Sequence, residues 1–142
     1  MVIPITANLL SYFTLGNGMK RISISETGGG IPVITDPIPG SQSSGYMVMV
    51  RTGSRDERKE VHGISHLLEH VVFRYTKTRS SYQMSKEIEG AGGAMNAFTG
   101  KEYTGYYGIT INETAEVAKE MVSDIIANPL INDEDTEMEK KI

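Results

Sequence analysis

The chain has 142 residues, 39% of them hydrophobic and 23% charged, which is typical of one globular domain spanning residues 1–142 and not of a disordered chain. Its 14 basic and 18 acidic residues give a net charge of -4, which argues against nucleic acid or an anionic membrane as a partner. No apolar run reaches the roughly 18 residues of a membrane helix and no signal peptide begins the chain, so we expect a cytoplasmic protein. Because cysteine is absent, any metal must be bound by histidine, aspartate or glutamate.

Short apolar segments separated by glycine and proline predict a β-rich first third of the chain. The β-branched segment 31–35 and the apolar segment 45–50 are both short, and we expect them to pair with each other. The other features expected here are a strand over 9–15, a turn at Asn17-Gly18, a strand over 19–25 and a flexible loop at the triple glycine 28–30.

Four helices are predicted in the remainder of the chain. Ser80 and Gln83 have the spacing of a capping box, which begins the second of these helices. Asn112 is the expected N-cap of the third, whose apolar residues recur every four positions. In chain order, the expected helices lie at about 63–75 after the charged loop 53–60, from Ser80 to the glycines 90–93, from Asn112 to Asn128-Pro129, and from the acidic residues 133–135 to a point still helical at Ile142.

Two segments rich in β-branched and aromatic residues lie between the second and third helices. Residues 95–99 and 103–111 are joined at Gly100-Lys101, and this pattern predicts an antiparallel hairpin. Hairpins interleaved with helices predict an α+β fold, a two-layer α/β sandwich of a mostly antiparallel sheet with helices on one face, and not a doubly wound parallel sheet.

The candidate catalytic chemistry is concentrated in the pattern His66-Leu67-Leu68-Glu69-His70. On a helix, His66 and His70 lie one turn apart on the same face, and Glu69 lies beside them. The helix thus separates a face able to bind a metal from an apolar face. The apolar face is expected to pack into the core and consists of Ile64, Leu68, Val71 and Val72.

Two imidazoles at positions i and i+4 can converge on one Zn²⁺ at Zn–N distances of roughly 2.0–2.1 Å. A catalytic zinc also needs a third protein ligand and an open position for a water molecule, whose pKa it lowers to about 7. Glu69 is placed to take the proton of that water as a general base. The alternative is a solvated helix face on which Glu69 pairs with a lysine or arginine and the histidines have no role.

His62 lies four residues before His66 and is the remaining histidine of the chain. It would lie roughly 12 Å from His70 along a helix axis, which makes ligation of one ion by all three histidines difficult. Gly63 also disfavours a continuous helix through this point. We therefore interpret His62 as a capping residue or as a residue that supports a ligand from outside the coordination sphere, and not as a ligand itself.

The pattern His-x-x-Glu-His is the inverted zincin motif. Its surroundings resemble the pitrilysin/insulinase family of zinc metallopeptidases, particularly the smaller bacterial, archaeal and mitochondrial-processing-peptidase-like members. The resemblance covers about residues 31–142 and implies the metalloenzyme LuxS/processing-peptidase-like fold. It is carried by Gly53-Ser54-Arg55-Asp56-Glu57, Gly63, Phe73, Gly92-Gly93, Asn96-Ala97-Phe98-Thr99, Glu102-Tyr103-Thr104 and Asn128-Pro129-Leu130.

This resemblance implies that His66 and His70 are zinc ligands and that Glu69 is the base that activates water. It also implies that a peptide or unfolded protein binds in an extended conformation beside Asn96-Ala97-Phe98, through backbone hydrogen bonds to an edge strand. The alternative for these three residues is an ordinary strand without a binding role.

The third zinc ligand is where this sequence departs from the family pattern. The family supplies a glutamate roughly 75 residues after the second histidine, which would fall about four residues beyond Ile142. Glu139 matches another glutamate of that family helix, which assists the ligands without binding the metal. Glu137 and Glu139 are the nearest substitutes, and we expect neither to replace the ligand. The chain alone is therefore expected to be an inactive N-terminal fragment.

The resulting hypothesis is a zinc metallopeptidase domain that is completed by the remaining domains of the same enzyme or by a partner subunit. An exposed sheet edge would also allow a homodimer. The alternative hypothesis is a non-catalytic subunit of the same fold that binds peptides or assists assembly.

Overall fold

The computed structural model describes residues 22–140, which divide between residues 41 and 42 into two units. The first unit contains a hairpin of two antiparallel strands, β1 (Ser23–Glu26) and β2 (Pro32–Thr35). The strand and the turn predicted for residues 9–18 lie outside the described residues. The single domain expected over residues 1–142 stays a prediction.

The triple glycine forms the turn of this hairpin. Gly30 has a φ of +79°, which glycine adopts without steric cost, and its N–H donates to the Thr27 carbonyl at 3.0 Å. The turn returns β2 directly onto β1, so the expected pairing of 31–35 with 45–50 is wrong. A short apolar pattern predicts a strand but does not determine its partner, and here the nearest strand along the chain is the one that pairs.

The second unit is built on a three-stranded antiparallel sheet in the order β3-β5-β4. Its strands are β3 (Ser43–Val50), β4 (Ala94–Thr99) and β5 (Thr104–Ile111). The predicted hairpin is confirmed as β4 and β5, with Ala97 opposite Tyr106 in the register. Because β5 is central, β4 is an edge strand of this sheet.

The predicted helices are present, and one of their caps differs from the expectation. Ser80 accepts a hydrogen bond from the Gln83 N–H and the Gln83 side chain accepts one from the Ser80 N–H, which confirms the capping box. Asn112 does not cap the third helix, because it lies in a 3₁₀ turn and its side chain accepts a hydrogen bond from Ser44 at 2.8 Å. Within residues 22–140 the α-helices are α1 (Ile64–Val71), α2 (Ser81–Gly90), α3 (Ala115–Ala127) and α4 (Asp133–Glu139).

None of the helices within the described range is long and apolar enough to span a membrane. The helix expected to continue to Ile142 is described as far as Glu139, with Lys140 as its C-cap, and residues 141–142 lie outside the described range.

The helices cover one face of the sheet, which confirms the two-layer α+β arrangement. α3 lies so close to β5 that a Cβ atom added at Gly108 would approach the Ala118 Cβ to 3.1 Å. The predicted apolar stripe of α3 faces this contact, and four of its residues are buried while Val117 and Ile126 are partly buried. The core consists of Val72, Met84, Ile88, Tyr106, Ala118, Met121, Val122 and Ile125.

The other face of the sheet is apolar and exposed. Side chains alternate along each strand, so Met47 and Met49 of β3 lie on the same side as Ile109 and Ile111 of β5, away from the helices. These four residues, which we call the open face, have 44% to 57% of their surface exposed.

The apolar face of α1 is only partly buried, which corrects the sequence prediction. Val71 and Val72 are buried, whereas Ile64 and Leu68 are 41% and 38% exposed. Ser65 is buried in the first turn, and its N–H donates to a side chain of the preceding loop.

Candidate metal centre

α1 brings the three motif residues together at its surface. The Nε2 atoms of His66 and His70 are 3.2 Å apart, and the two rings meet edge to face with their centroids 4.7 Å apart. One ligand atom from each of these histidines and from Glu69 lies within 4.8 Å of the others. This convergence follows from the helical spacing, because residues four apart occupy adjacent turns of one face. We call His66, Glu69 and His70 the candidate metal centre.

The spacing of the histidine nitrogens fits a zinc ion. Zn–N bonds of roughly 2.0–2.1 Å at a tetrahedral angle place two nitrogen ligands about 3.3 Å apart. The Nε2 atoms of His66 and His70 are 3.2 Å apart without any change of rotamer. Both histidines are exposed, so the ring nitrogens are accessible to an ion from solvent.

Glu69 is positioned by a residue of the sheet. Its carboxylate is half-buried and its Oε2 atom accepts a hydrogen bond from the hydroxyl of Thr99, the last residue of β4. Within the described residues the partner of Glu69 is this hydroxyl and not a lysine or arginine. The pKa of the buried Tyr106 hydroxyl is raised, first by burial and second by the nearby charge of Glu69.

Glu139 of α4 lies on the other side of His70. Its side chain is 5% exposed, and its Oε2 atom is 3.4 Å from His70 Nδ1. Arg74 Nε donates to the other carboxylate oxygen, Oε1, at 2.6 Å. Glu137 is exposed and pairs instead with Lys140 at 2.6 Å. Among residues 22–140, neither glutamate belongs to the candidate metal centre.

His62 also lies outside the candidate metal centre. It follows the 3₁₀ turn Lys59–Val61 and precedes α1, so it is not on the same helix as the other two histidines. Its side chain is 69% exposed, and its Nδ1 atom is 3.4 Å from Glu57 Oε2. The structure thus separates His62 from the candidate metal centre.

Glu57 is a site residue that the sequence analysis did not identify. It lies in the charged loop, yet its side chain is only 2% exposed and accepts hydrogen bonds from the N–H groups of Gly63 at 2.7 Å and Ser65 at 2.9 Å. These bonds, that of Gly63 first, lower the pKa of Glu57 from 4.5 to about 2. Glu57 therefore caps α1 from a distance. One feature of the sequence could have indicated this role. α1 begins after Gly63, which has no side chain to cap the helix, so a cap from another residue was to be expected.

Asn96, Ala97 and Phe98 lie in the middle of the edge strand β4. The Ala97 N–H is directed away from β5, where the Asn96 side chain accepts it at 2.8 Å. Phe98 lies on the face away from the helices, and its ring contacts those of Tyr103 and Tyr107. Since α1 contacts β4, the backbone edge and the candidate metal centre are neighbours.

Comparisons with known proteins give matches over most of this chain. Residues 32–142 match the family described as Insulinase (Peptidase family M16). An uncharacterized zinc protease of Streptomyces coelicolor is 35% identical over 124 residues, which are 87% of this chain and 27% of that protein. One of Mycobacterium leprae is 38% identical over 114 residues, which are 80% of this chain and 26% of that protein. The chain therefore spans less than a third of the length of these curated relatives.

The solved structures include a protease from Helicobacter pylori that superimposes with a TM-score of 0.79. It is 23% identical and covers 84% of this chain and 29% of its own, so it shows the fold alone. The family match extends over most of the chain and includes the segment that forms the candidate metal centre. The chain belongs to the insulinase family, peptidase family M16.

Proposed function

We propose that this domain binds Zn²⁺ through Nε2 of His66 and His70 and is the metal-binding part of a peptidase. The observation that carries the proposal is the 3.2 Å separation of the two Nε2 atoms beside the Glu69 carboxylate. The family match and the naming of curated relatives as zinc proteases support it. When bound, zinc supplies a Lewis acid that activates water and polarises the scissile carbonyl group.

Glu69 is the general base in this proposal. Its carboxylate takes a proton from the attacking water as the new carbon–oxygen bond forms, and returns that proton to the amide nitrogen as the carbon–nitrogen bond breaks. The Thr99 hydroxyl occupies Oε2 of Glu69, which leaves Oε1 for the proton transfer.

The proposed substrate is a peptide or an unfolded protein segment in an extended conformation along β4. An edge strand offers backbone donors and acceptors, which give affinity with little demand on sequence. The Ala97 N–H is one such donor, and a substrate carbonyl would replace the Asn96 side chain as its acceptor. Phe98 lies next to it on the strand, with its ring on the face away from the helices.

We further propose that the third zinc ligand comes from outside residues 1–142. Glu139 is a supporting residue and not a ligand in this arrangement, because it faces Nδ1 of His70 and its other oxygen is bound by Arg74. The curated relatives are more than three times as long as the aligned part, so further domains or a partner subunit would complete the peptidase. Homodimerisation and a cytoplasmic location stay predictions.

Metal analysis and calorimetry of the purified chain test the zinc site. We expect one zinc site of modest affinity, lost in His66→Ala and in His70→Ala, because each substitution removes one of the two imidazole ligands. His62→Ala is the matched control and should leave zinc binding unchanged, since His62 lies outside the centre. Zinc binding that survives both ligand substitutions would contradict the proposal.

The role of Glu69 is tested in a form of the protein that is completed by the further domains or the partner subunit of the proposal. Glu69→Gln should lower hydrolysis of an unstructured fluorogenic peptide by about 100-fold or more, while the zinc content stays the same, because it removes a base and not a ligand. Glu137→Gln is the control, since Glu137 is exposed. Loss of zinc from Glu69→Gln would show that Glu69 is a ligand instead.

A further inference from the structure

Arg74 connects α4 to the histidine face of α1. It lies just after α1, where its backbone N–H donates to the Val71 carbonyl at 3.0 Å, and its side chain is 37% exposed. Both Nε and Nη2 of Arg74 donate to the same atom, Oε1 of Glu139, with the Nε contact at 2.6 Å. The second oxygen of that carboxylate, Oε2, lies 3.4 Å from His70 Nδ1.

We propose that Arg74 is a positioning residue of the metal centre, which holds the Glu139 carboxylate so that His70 keeps its proton on Nδ1 and presents a lone pair at Nε2. The expected effect of Arg74 on zinc binding rests on the proposed function. The structural part of the inference concerns only the protein and can be tested without metal.

The tautomer of His70 follows from the contacts of its two nitrogens. A neutral imidazole carries one N–H, and a carboxylate at 3.4 Å from Nδ1 favours the form in which Nδ1 carries it. His70 Nε2 is then an acceptor, and the 3.2 Å contact between the two Nε2 atoms is a hydrogen bond donated by His66. Zinc binding would replace the proton of His66 and would find the lone pair of His70 already in place.

An arginine suits this position because of the shape of its donors. Glu139 is nearly inaccessible to solvent, so its charge needs a cation close by. The planar fork of Arg74 puts two donors on one oxygen and holds that oxygen in place, whereas a lysine supplies a point charge with rotatable donors. We therefore expect lysine to keep the charge balance but not the orientation.

Nitrogen NMR of the metal-free chain, at a pH well above the imidazole pKa, tests the inference. In the unaltered chain we expect the His70 proton on Nδ1, and in Arg74→Met a shift of the population toward the Nε2–H form. Arg74→Lys should give a mixed population and keeps the test decisive if Arg74→Met does not fold. Arg55→Met is the matched control, since Arg55 forms an exposed ion pair with Glu102, and should leave the His70 signals unchanged.

Zinc titration of the same variants gives the second readout. We expect Arg74→Met to weaken zinc binding about 10-fold, in the range found for residues that support metal ligands, with Arg74→Lys between it and the unaltered chain. An unchanged His70 tautomer in a folded Arg74→Met protein would overturn the inference. If the unaltered chain binds no zinc, the proposed function fails, and the tautomer still decides the role of Arg74.

Discussion

Glu69 belongs to one structural element and is oriented by another. Its backbone is part of α1, while its carboxylate accepts a hydrogen bond from Thr99 at the end of β4, the strand along which we propose that substrate binds. A carboxylate held at one oxygen loses part of its rotational freedom, so its other oxygen has a defined position. The orientation of the proposed base therefore depends on a residue of the proposed substrate strand.

Thr99→Val keeps the shape of the side chain and removes this donor. In the catalytically complete form of the protein we expect kcat to fall about 10-fold with little change in KM or zinc content, because the base is misoriented while substrate and metal contacts remain. Thr99→Ser retains the hydroxyl and should restore most of kcat. Steady-state kinetics with one peptide substrate check both variants, and equal losses in valine and serine variants would contradict this role.

At the residue scale, local spacing was predictable and long-range partners were not. The positions of His66, Glu69 and His70 on one face follow from helical geometry alone. The hydrogen bond of Arg74 to Glu139 joins residues 65 apart in the chain, and only the packing of α4 brings them together. Likewise, the pattern of charged residues around Glu57 gives no sign that this carboxylate turns inward.

At the scale of elements, the N-terminus of α1 is fixed by the loop before it. Gly63 has a φ of +88°, a left-handed conformation that favours glycine, and it supplies no side chain to bind the exposed N–H groups of the first turn. Glu57 binds two of these groups with a negative charge, which the positive end of the helix dipole also favours. The first turn of α1, which carries the candidate metal centre, therefore depends on one carboxylate.

Glu57→Gln should destabilise α1, because an amide has one acceptor oxygen and no charge where the carboxylate has two oxygens. We expect the Tm of the chain to fall by a few degrees, on the order of 3–8 °C, as for the loss of a helix cap. Thermal unfolding followed by circular dichroism measures it. The exposed Glu60, three residues later, provides the control substitution Glu60→Gln, and a similar fall in that variant would count against a specific cap.

The same carboxylate predicts an acid-dependent loss of stability. Since the pKa of Glu57 is lowered from 4.5 to about 2 on folding, its contribution is complete above pH 4.5 and is lost as the pH falls toward 2. The unfolded chain takes up the proton first in this interval, which favours unfolding. Urea unfolding at a series of acidic pH values should show a smaller pH slope for Glu57→Gln than for the unaltered chain, and an equal slope would be inconsistent with this assignment.

Element types were more predictable than their connections. The capping box of Ser80 and the β4–β5 hairpin are local patterns, and the structure confirms both. The predicted partner of β2 was wrong, because an apolar pattern identifies a strand but does not determine which strand pairs with it. The prediction that Asn112 caps α3 was wrong, because its side chain accepts a hydrogen bond from Ser44 across the sheet. The spacing of residues in the sequence does not reveal this contact.

At the scale of the second unit, a buried polar cluster links the segment after α1 to α3. Asp124 is buried on α3, and its carboxylate accepts hydrogen bonds from Thr76 at 2.7 Å, Thr78 at 2.8 Å, Arg79 at 3.1 Å and Asn128 at 2.9 Å. Burial raises the pKa of Asp124, but these hydrogen bonds outweigh it, and the net pKa is lowered. The loop that follows α1 is thus held against the core by one carboxylate.

Asp124→Asn leaves a single acceptor oxygen for these four donors. We expect the free energy of unfolding at neutral pH to fall by about 1–3 kcal/mol, as for buried hydrogen-bonding groups left without partners. Urea unfolding measures the change, and Glu120→Gln on the exposed side of α3 is the control. Because the pKa of Asp124 is lowered on folding, the difference in unfolding free energy between Asp124→Asn and the unaltered chain should shrink only in acid, below the ordinary aspartate pKa of 3.8. Equal free energies of unfolding for Asp124→Asn and the unaltered chain at neutral pH would contradict the role of this cluster.

The α+β class was predictable because hairpins and helices alternate in the sequence, and the helix layer follows from the apolar stripe of α3. The open face could not be assigned in the same way, since residues 46–50 of β3 form a continuous apolar run, which is typical of a strand buried on both sides.

The exposed methionines of the open face can report whether this face is accessible to solvent. Met47 and Met49 are 48% and 57% exposed, while Met84 and Met121 in the core are 2% and 0% exposed. Peroxide adds an oxygen atom to an accessible thioether, and the sulfoxide is polar. Mild oxidation followed by mass spectrometry would therefore mark the first pair in this chain and spare the second. In a longer form of the protein, protection of Met47 and Met49 would show that another part of the assembly covers this side of the sheet, and continued oxidation would show that it stays in contact with water.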